Sequence, residues 1–370
     1  MIDEKRLLHT FLEYVQIDSE TLNEREMAER LSRELKELGA EVWRDDAGAP
    51  IGSNGYNVYA RLEGDLPAPP LLFSAHTDTV TPGNGIRPIV ADGMVKSSGD
   101  TILAADDKSG VAGIMEALRT VTERKLPHRT IEIMFSIAEE GGLRGAKGGD
   151  YTKLRAKHAV VLDSSGDAGQ IVTSAPGQTR IRAVVHGRAA HAGAAPEEGV
   201  SAIQAAAAGV AAMRLLRIDE ETTANIGVFQ AEYATNIVPE RALVVGEARS
   251  RDAEKLARQS EHMRQCLQEA CDRFGARLEC DIETMYAAYR VAEDDPFLRE
   301  VMAASRRAGV APFCMATGGG SDANVMHEHG ISAIVLATGM DKVHTTEERI
   351  TLENLANTAK ICFALMTPEA

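Results

Sequence analysis

The sequence predicts an α/β domain with a mixed, mostly parallel sheet, and a smaller α+β ferredoxin-like domain inserted into it. Over residues 1–177, short apolar runs alternate with helical stretches, which is the pattern of a parallel sheet covered by helices. Residues 178–290 instead follow the order β-α-β-β-α-β of a split-βαβ unit. The first pattern resumes over residues 291–370, so the middle segment is predicted to be an insertion.

The first 40 residues are predicted to form two amphipathic helices. Apolar residues recur at helical spacing, first in Leu7, Leu8, Phe11, Leu12 and Val15, and then in Met27, Leu31, Leu35 and Leu38. Thr21 and Glu24 form a capping-box pattern at the start of the second helix. Gly39 is the type of residue that ends a helix.

Four apolar runs have the composition of strands buried on both faces. They are LLFSA (71–75), IEIMFSIA (131–138), AVVL (159–162) and AIVLA (333–337). Between them, Ser109–Val121 and Ala323–His329 are predicted helices. Strands of this kind, alternating with helices, place most of the sheet in parallel order.

The inserted segment shows a different pattern. Residues 178–188 alternate polar and apolar side chains, which is typical of an antiparallel strand with one exposed face. The elements that follow are a helix at about 199–216, strands near 225–231 and 241–250, a helix at about 252–273 and a strand at about 277–288.

The composition excludes several classes of protein. The chain has 40 basic and 55 acidic side chains and a net charge of −15, whereas nucleic acids bind cationic surfaces. No stretch approaches the ~18 apolar residues of a membrane span. The amphipathic, acidic N-terminal segment does not resemble a secretory signal, so we expect a cytoplasmic protein. The five cysteines form no CxxC pair and predict neither a disulfide scaffold nor a cysteine zinc site.

Side chains of the types that commonly bind metals follow each buried strand. In strand order, they are His76 with Asp78, Glu139 with Glu140, Asp163, and His344, while Asp106 and Asp107 precede the helix that begins near Ser109. Parallel α/β sheets bind ligands beyond the carboxyl ends of their strands, so these side chains are predicted to share one crevice. The adjacent carboxylates of Glu139 and Glu140 would repel each other there unless a cation held them.

Imidazole and carboxylate ligands without thiolates favour zinc, manganese or cobalt in a hydrolytic site. Two histidines and several carboxylates are enough for two metals ~3.5–4 Å apart, bridged by one carboxylate and a water. Such a pair would activate the bridging water and polarise a substrate carbonyl. A free carboxylate nearby would then accept the proton of the water.

At these positions the sequence closely resembles the peptidase T-like di-zinc metallopeptidases, a family that includes glutamate carboxypeptidase, carnosine dipeptidases and succinyl-diaminopimelate desuccinylase. The segments that carry the resemblance are SAHTDTV (74–80), LAADDKSG (103–110), AEEGGLRGAK (138–147), VLDSSG (161–166), GRAAHAGAAPEEG (187–199) and GMDKVHTTEE (339–348). It covers nearly the whole chain. PGNGIRP (82–88) and the compact length look most like the shorter peptidase T-like branch.

The resemblance implies a zinc-peptidase catalytic domain and a role for each residue of the crevice. His76 and Asp163 would bind the first metal, Glu140 and His344 the second, and Asp106 would bridge both. Asp78 would orient the His76 imidazole, and Glu139 would be the general base. A cis peptide is implied between Asp106 and Asp107.

The resemblance also implies roles in the inserted lid and dimerisation domain. His191 would donate to the developing oxyanion, typically in the active site of a partner subunit. Asn236 and Arg249 would bind the substrate carboxylate, which suits the planar fork of arginine. Gly319, in the loop TGGGSDA (317–323), would line the substrate pocket, with Ser321 or Asp322 capping the next helix. A sheet edge left free by the insertion would pair with a second copy in a homodimer.

The sequence therefore predicts a cytoplasmic di-zinc peptidase that removes the N-terminal residue of a short peptide, most simply a tripeptide. A dipeptidase, a carboxypeptidase or an N-acyl amino acid deacylase would have the same metal core. A non-catalytic binding protein on this scaffold would lack a ligand or the base, and here the set is complete. A nucleotide-binding enzyme is disfavoured because the glycine loop lacks the Lys-Ser/Thr of a phosphate loop.

Overall fold

In the computed structural model, which describes residues 2–369, the chain divides into two compact units. The first unit contains the residues up to Thr173, then Val291–Ala316, and then those from Ser321 onward. The second unit contains Ser174–Arg290 and Thr317–Gly320. It thus begins at Ser174 rather than at residue 178. It also includes the first four residues of the glycine loop, Thr317–Gly320.

The helices within residues 2–369 are ten α-helices and one short 3-10 helix. They are α1 (Glu4–Val15), α2 (Arg25–Glu37), α3 (Gly48–Ile51), α4 (Ala105–Glu123), α5 (Arg144–Lys147), the 3-10 helix (Pro196–Glu198), α6 (Ala202–Ala212), α7 (Ala253–Phe274), α8 (Pro296–Arg307), α9 (Asp322–Glu328) and α10 (Leu352–Met366).

The same residues form eighteen strands. They are β1 (Glu41–Arg44), β2 (Val58–Leu62), β3 (Leu71–His76), β4 (Ile89–Ala91), β5 (Met94–Lys96), β6 (Ile131–Ser136), β7 (His158–Ser164), β8 (Gln170–Ala175), β9 (Gly177–His186), β10 (Leu216–Arg217), β11 (Thr222–Gln230), β12 (Arg241–Ser250), β13 (Arg277–Tyr286), β14 (Tyr289–Arg290), β15 (Phe313–Ala316), β16 (Ser332–Ala337), β17 (Met340–Asp341) and β18 (Arg349–Thr351).

The first unit is built on a mixed sheet in the order β1-β2-β6-β3-β7-β16-β8, with β15 beside β8. The central strands β6, β3, β7 and β16 pair in parallel, and the flanking pairs β1–β2, β2–β6 and β16–β8 are antiparallel. Every residue of β3 and β6 is buried, as continuous apolar runs predict for central strands. The predicted mixed sheet is confirmed, and its parallel part is the centre.

Helix α4 packs against β3 and β7, and α1 and α10 pack against α4. A separate small sheet, in the order β17-β18-β5-β4, joins the end of the chain to the hairpin β4–β5. His344 lies in the turn between β17 and β18. The small sheet therefore determines where this histidine is held.

The predicted capping box of α2 is wrong. The helix begins after Glu24, whose side chain makes no capping hydrogen bond, and the main-chain N–H of Arg25 donates to Asn54 Oδ1 over 3.0 Å. The Thr21 hydroxyl instead donates to Asp78 Oδ2 over 2.8 Å. The buried Glu24 carboxylate accepts the main-chain N–H groups of Leu22 and Ala138. Contacts with distant segments thus replace the local cap.

The second unit is an antiparallel sheet in the order β10-β11-β12-β9-β13, with α6 and α7 packed against it. Alternate residues of β9, including Ile181, Ala183 and Val185, form a core with Met263 and Leu267 of α7. The predicted order β-α-β-β-α-β is present, with the short β10 as an addition. Across residues 2–369, no helix has both the length and the apolar character that a membrane span requires.

Candidate active site

The carboxyl ends of three adjacent parallel strands bring the first candidate residues together. His76 is the last residue of β3, Asp163 lies near the end of β7, and Glu139 and Glu140 follow β6. Because β3 lies between β6 and β7 in the sheet, the three strand ends are neighbours. Asp106 joins them from the first turn of α4, where its backbone departs from helical geometry, and its peptide bond to Asp107 is cis, as expected.

The two carboxylate oxygens of Asp106 face two different groups. Asp106 Oδ1 lies 3.0 Å from His76 Nε2, and that nitrogen lies 3.8 Å from Asp163 Oδ1. Asp106 Oδ2 lies 3.2 Å from His344 Nε2, which lies 2.8 Å from Glu140 Oε1. Each group thus contains one imidazole and one carboxylate of its own, and the groups share Asp106.

This donor set fits divalent metals. The ligand atoms of His76, Asp106 and Glu140 lie within 4.8 Å of one another, as do those of His76, Asp107 and Asp163. Nitrogen and carboxylate oxygen at these positions suit zinc, cobalt or manganese. Asp107 was not predicted as a ligand, and its oxygens accept the main-chain N–H groups of His76 and Gly110.

Burial and mutual repulsion make the site strongly attractive to cations. Burial, with the nearby Asp163 carboxylate, raises the pKa of Glu139 well above its usual value, and burial raises that of Asp163 in the same way. Burial opposes protonation of His76, yet the adjacent Asp106 and Asp163 raise its pKa well above the usual value. Hydrogen bonds to Asp106 and Glu140 raise the pKa of His344 to about 10. The negative charge of the carboxylates therefore exceeds the positive charge that the two imidazoles can supply.

Asp78 connects the histidine to the Glu139–Glu140 turn. Its carboxylate accepts the main-chain N–H groups of Glu139 and Glu140 over 2.9 and 3.2 Å and the Thr21 hydroxyl. His76 Nδ1 lies 2.9 Å from the main-chain oxygen of Asp78 and 3.6 Å from its carboxylate. The main chain of Asp78 therefore makes the closer contact with the imidazole, whereas the expectation was the carboxylate.

In the second unit, His191 and Asn236 lie in neighbouring segments. The main-chain N–H of Ala192 donates to Asn236 O over 2.9 Å, and His191 forms a β-bridge with Ile237. Both predicted side chains are exposed. His191 Nδ1 accepts two main-chain N–H groups over 3.1 and 3.2 Å, so the proton of the neutral ring lies on Nε2. That nitrogen is a hydrogen-bond donor.

Arg249 lies at the opposite end of the same sheet. On β12, Arg241 is opposite His186 and Arg249 is opposite Gln178, a separation of about 27 Å at the rise of an antiparallel strand. Main-chain hydrogen bonds continue from the Arg241 end to Asn236. Within one chain, the structure therefore does not bring Asn236 and Arg249 together.

Arg249 has a described partner on its own strand, and the glycine loop is joined to the same end of the sheet. Glu247 accepts from Arg249 Nε over 2.8 Å and from its Nη2 over 3.2 Å. The loop of Gly319 begins at Thr317, whose main-chain N–H donates to Ser174 O near the start of β9. Gly319 thus lies at the Arg249 end of the sheet. Ser321 caps α9, which confirms one of the two predicted capping residues.

Comparison with known proteins identifies the family. Residues 72–367 match the sequence pattern of peptidase family M20/M25/M40. The chain belongs to this family. As an M20 peptidase it is a peptide hydrolase, which confirms the class of enzyme predicted from the sequence.

Two solved structures are similar to this M20 peptidase over 99% of its chain and 98% of theirs. One is the aminopeptidase PepT from Bacillus cereus, at 41% identity and a TM-score of 0.91. The other is a tripeptidase from Staphylococcus aureus, at 37% identity and a TM-score of 0.95. Peptidase T from Escherichia fergusonii is 25% identical over 96% of this chain and 97% of its own.

Two residues that support the site were not predicted from the sequence. Thr21 was assigned to a helix cap, although its hydroxyl reaches Asp78. Glu348, within a segment used for the resemblance, was given no role, although its buried carboxylate accepts the main-chain N–H of Asp106. Their partners lie 57 and 242 residues away in the chain, so no local signal marked either residue.

We expect Thr21→Val to lower kcat/KM for a short peptide by about 10–100-fold, the usual effect of losing a residue that supports a metal ligand. Valine keeps the shape of threonine but cannot donate to the buried Asp78 carboxylate, which then holds the Glu139–Glu140 turn less firmly. Thr21→Ser retains the donor and is the matched control. Steady-state kinetics and metal content should be measured on both. Full activity of the valine variant, or equal losses in both, would contradict this role.

Proposed function

We propose that this M20 peptidase is a di-zinc aminopeptidase that removes the N-terminal residue of tripeptides. The observation that carries the proposal is Asp106, whose two oxygens face two separate imidazole–carboxylate groups. The similarity to an aminopeptidase and a tripeptidase at 41% and 37% identity supports the substrate. The five free cysteines of the structure support a reducing compartment, the cytoplasm.

His76 and Asp163 would hold one zinc ion, His344 and Glu140 the other, and Asp106 both. Cobalt or manganese would substitute, since the same nitrogen and oxygen donors suit them. When bound, the pair supplies Lewis acidity toward a water molecule and the substrate carbonyl. The remaining chemistry belongs to side chains of this chain.

Glu139 is the proposed general base. Its buried carboxyl has a raised pKa, which makes the carboxylate a better proton acceptor than an exposed glutamate. As the water oxygen bonds to the carbonyl carbon, Glu139 takes a proton from the water. It then gives this proton to the leaving nitrogen as the carbon–nitrogen bond breaks. The main-chain hydrogen bond from Glu139 to Asp78 keeps the base in position.

Adjacent glutamates give a matched test of these roles. Glu139→Gln should lower kcat by roughly 10²–10⁴-fold because it removes the proton acceptor. Its metal content should stay nearly intact. Glu140→Gln should instead lower metal content, since it removes a ligand. Metal analysis and kinetics on both variants decide the assignment, and the reverse pattern would exchange the two roles.

Arg249 is proposed to bind the C-terminal carboxylate of the substrate from one end of the second unit, near Gly319. Glu247 fixes the orientation of its guanidinium group. His191, with a donor on Nε2, and Asn236 would act from the other end of the sheet. Because about 27 Å of strand separates the two ends, we propose that one active site takes His191 and Asn236 from a second copy of the chain.

Amidating the C-terminus of a tripeptide should raise KM by about 10–100-fold, the cost of losing a charged hydrogen bond. Arg249→Ala should remove this preference. Arg182→Ala, an exposed arginine of the same sheet, is the control and should retain it. Dipeptides and N-acyl amino acids belong in the same panel, with products identified by mass spectrometry. Equal turnover of free and amidated peptides would exclude Arg249 as the group that binds the substrate carboxylate. Preference for an N-acyl amino acid would favour a deacylase.

The second unit has a surface suited to homodimer formation. Strand β10 pairs only with Thr223 and Ala224 of β11, so residues 225–230 have no strand on that side within residues 2–369. Val228 and Phe229, on this free edge, are 41% and 43% exposed. An exposed apolar edge is a site where a second copy adds its own strand across a two-fold axis.

Co-expressing Glu139→Gln with His191→Ala tests whether the site is shared. If His191 acts in the partner's site, a mixed dimer has one site with both defects and one intact site. Random pairing makes half of the dimers mixed, so about a quarter of wild-type activity should return. Sedimentation on the same sample establishes the dimer. A dimer without recovered activity would mean that His191 acts within its own chain.

A further inference from the structure

Glu348 joins two segments that carry candidate metal ligands. Its carboxylate is fully buried and accepts three main-chain N–H groups, two from the loop that leads into α4 and one from the first turn of that helix. Oε2 accepts from Leu103 over 2.7 Å and from Ala104 over 2.8 Å, and Oε1 accepts from Asp106 over 3.0 Å. The loop that positions Asp106 is therefore held by one side chain, which comes from more than 240 residues further along the chain.

The other end of this connection is the segment of His344, four residues before Glu348. The main-chain N–H of Glu348 donates to Thr345 O over 3.2 Å, and its carbonyl accepts the N–H of Ser97 over 3.0 Å. Immediately after it, β18 pairs with β5. The main chain of Glu348 is thus fixed by the small sheet, while its side chain reaches the Asp106 loop.

The loop requires such an acceptor. Leu103, Ala104 and Asp106 are buried, so their N–H groups depend on a partner within the protein. Ala104 has a φ of 64°, a left-handed conformation that is unfavourable for alanine and persists only when its surroundings impose it. The three main-chain N–H groups that donate to the Glu348 carboxylate hold the segment in this conformation.

We propose that Glu348 is a positioning residue that fixes Asp106 relative to His344 and thereby sets the affinity of the metal position between them. The metal assignment rests on the proposed function, whereas the connection between the two segments does not. Asp106 Oδ2 lies 3.2 Å from His344 Nε2, so a loop free to move would separate these two atoms. The other position shares Asp106 but keeps His76 and Asp163, which lie on strands of the main sheet and do not depend on Glu348, so it should be weakened less.

Glu348→Gln is the sharpest test, because the amide keeps the shape of the carboxylate but places an N–H donor against a main-chain N–H. Glu347→Gln is the matched control, since the Glu347 side chain is 70% exposed and bonds only Lys342 among the contacts described. Metal-free protein should be titrated with Zn²⁺ by calorimetry. We expect Glu348→Gln to weaken one of two metal positions about 10–100-fold, the other to a smaller extent because it shares only Asp106, and the control to bind as the wild type does. Unaltered affinity at both positions, or equal losses at both, would overturn the proposal.

Hydrogen exchange of the wild-type protein tests the connection without any variant. If Glu348 holds the loop, the amides of Leu103, Ala104 and Asp106 should be protected in metal-free protein. Fast exchange of these amides without metal would overturn the proposal, even if Glu348→Gln fails to fold. Protection in a protein that binds no metal would keep the connection and instead reject the proposed di-zinc function.

Discussion

The burial of several carboxylates at one edge of a sheet is the constraint on which the rest of this structure depends. Asp106, Asp163, Glu139 and Glu140 meet where β3, β6 and β7 end, and two imidazoles cannot balance their charge. Buried carboxylates that crowd one another either take up protons or gather cations. The split of Asp106 between two imidazole–carboxylate groups favours cations at two positions.

Other buried carboxylates in the first unit hold the main chain around this edge. Asp78 accepts the N–H groups of the Glu139–Glu140 turn, Glu348 accepts three N–H groups of the Asp106 loop, and Asp107 accepts those of His76 and Gly110. In each case an acidic side chain that is not a proposed ligand fixes a segment that carries one. Main-chain donors make such burial tolerable, because hydrogen bonds to a carboxylate favour its ionised form.

The strands and the candidate ligands could be predicted from the sequence because both are local signals. A strand buried on both faces is a continuous apolar run, and the residue that ends it is read directly, as with His76 after LLFSA. Thr21 and Glu348 could not be predicted in this way, since their partners lie 57 and more than 240 residues away in the chain. Thr21 also matched a local capping pattern, and a distant contact outweighed it. The separation of Asn236 from Arg249 could not be predicted either, because it depends on the register of β12 in the sheet.

Anomalous diffraction from crystals grown with zinc would locate the metals directly. We predict two zinc peaks in each chain, on either side of Asp106, one beside His76 and Asp163 and the other beside His344 and Glu140. Removing the metal from the same preparation should abolish peptide hydrolysis. A single peak, peaks away from Asp106, or full hydrolysis by metal-free protein would contradict a di-zinc site centred on Asp106.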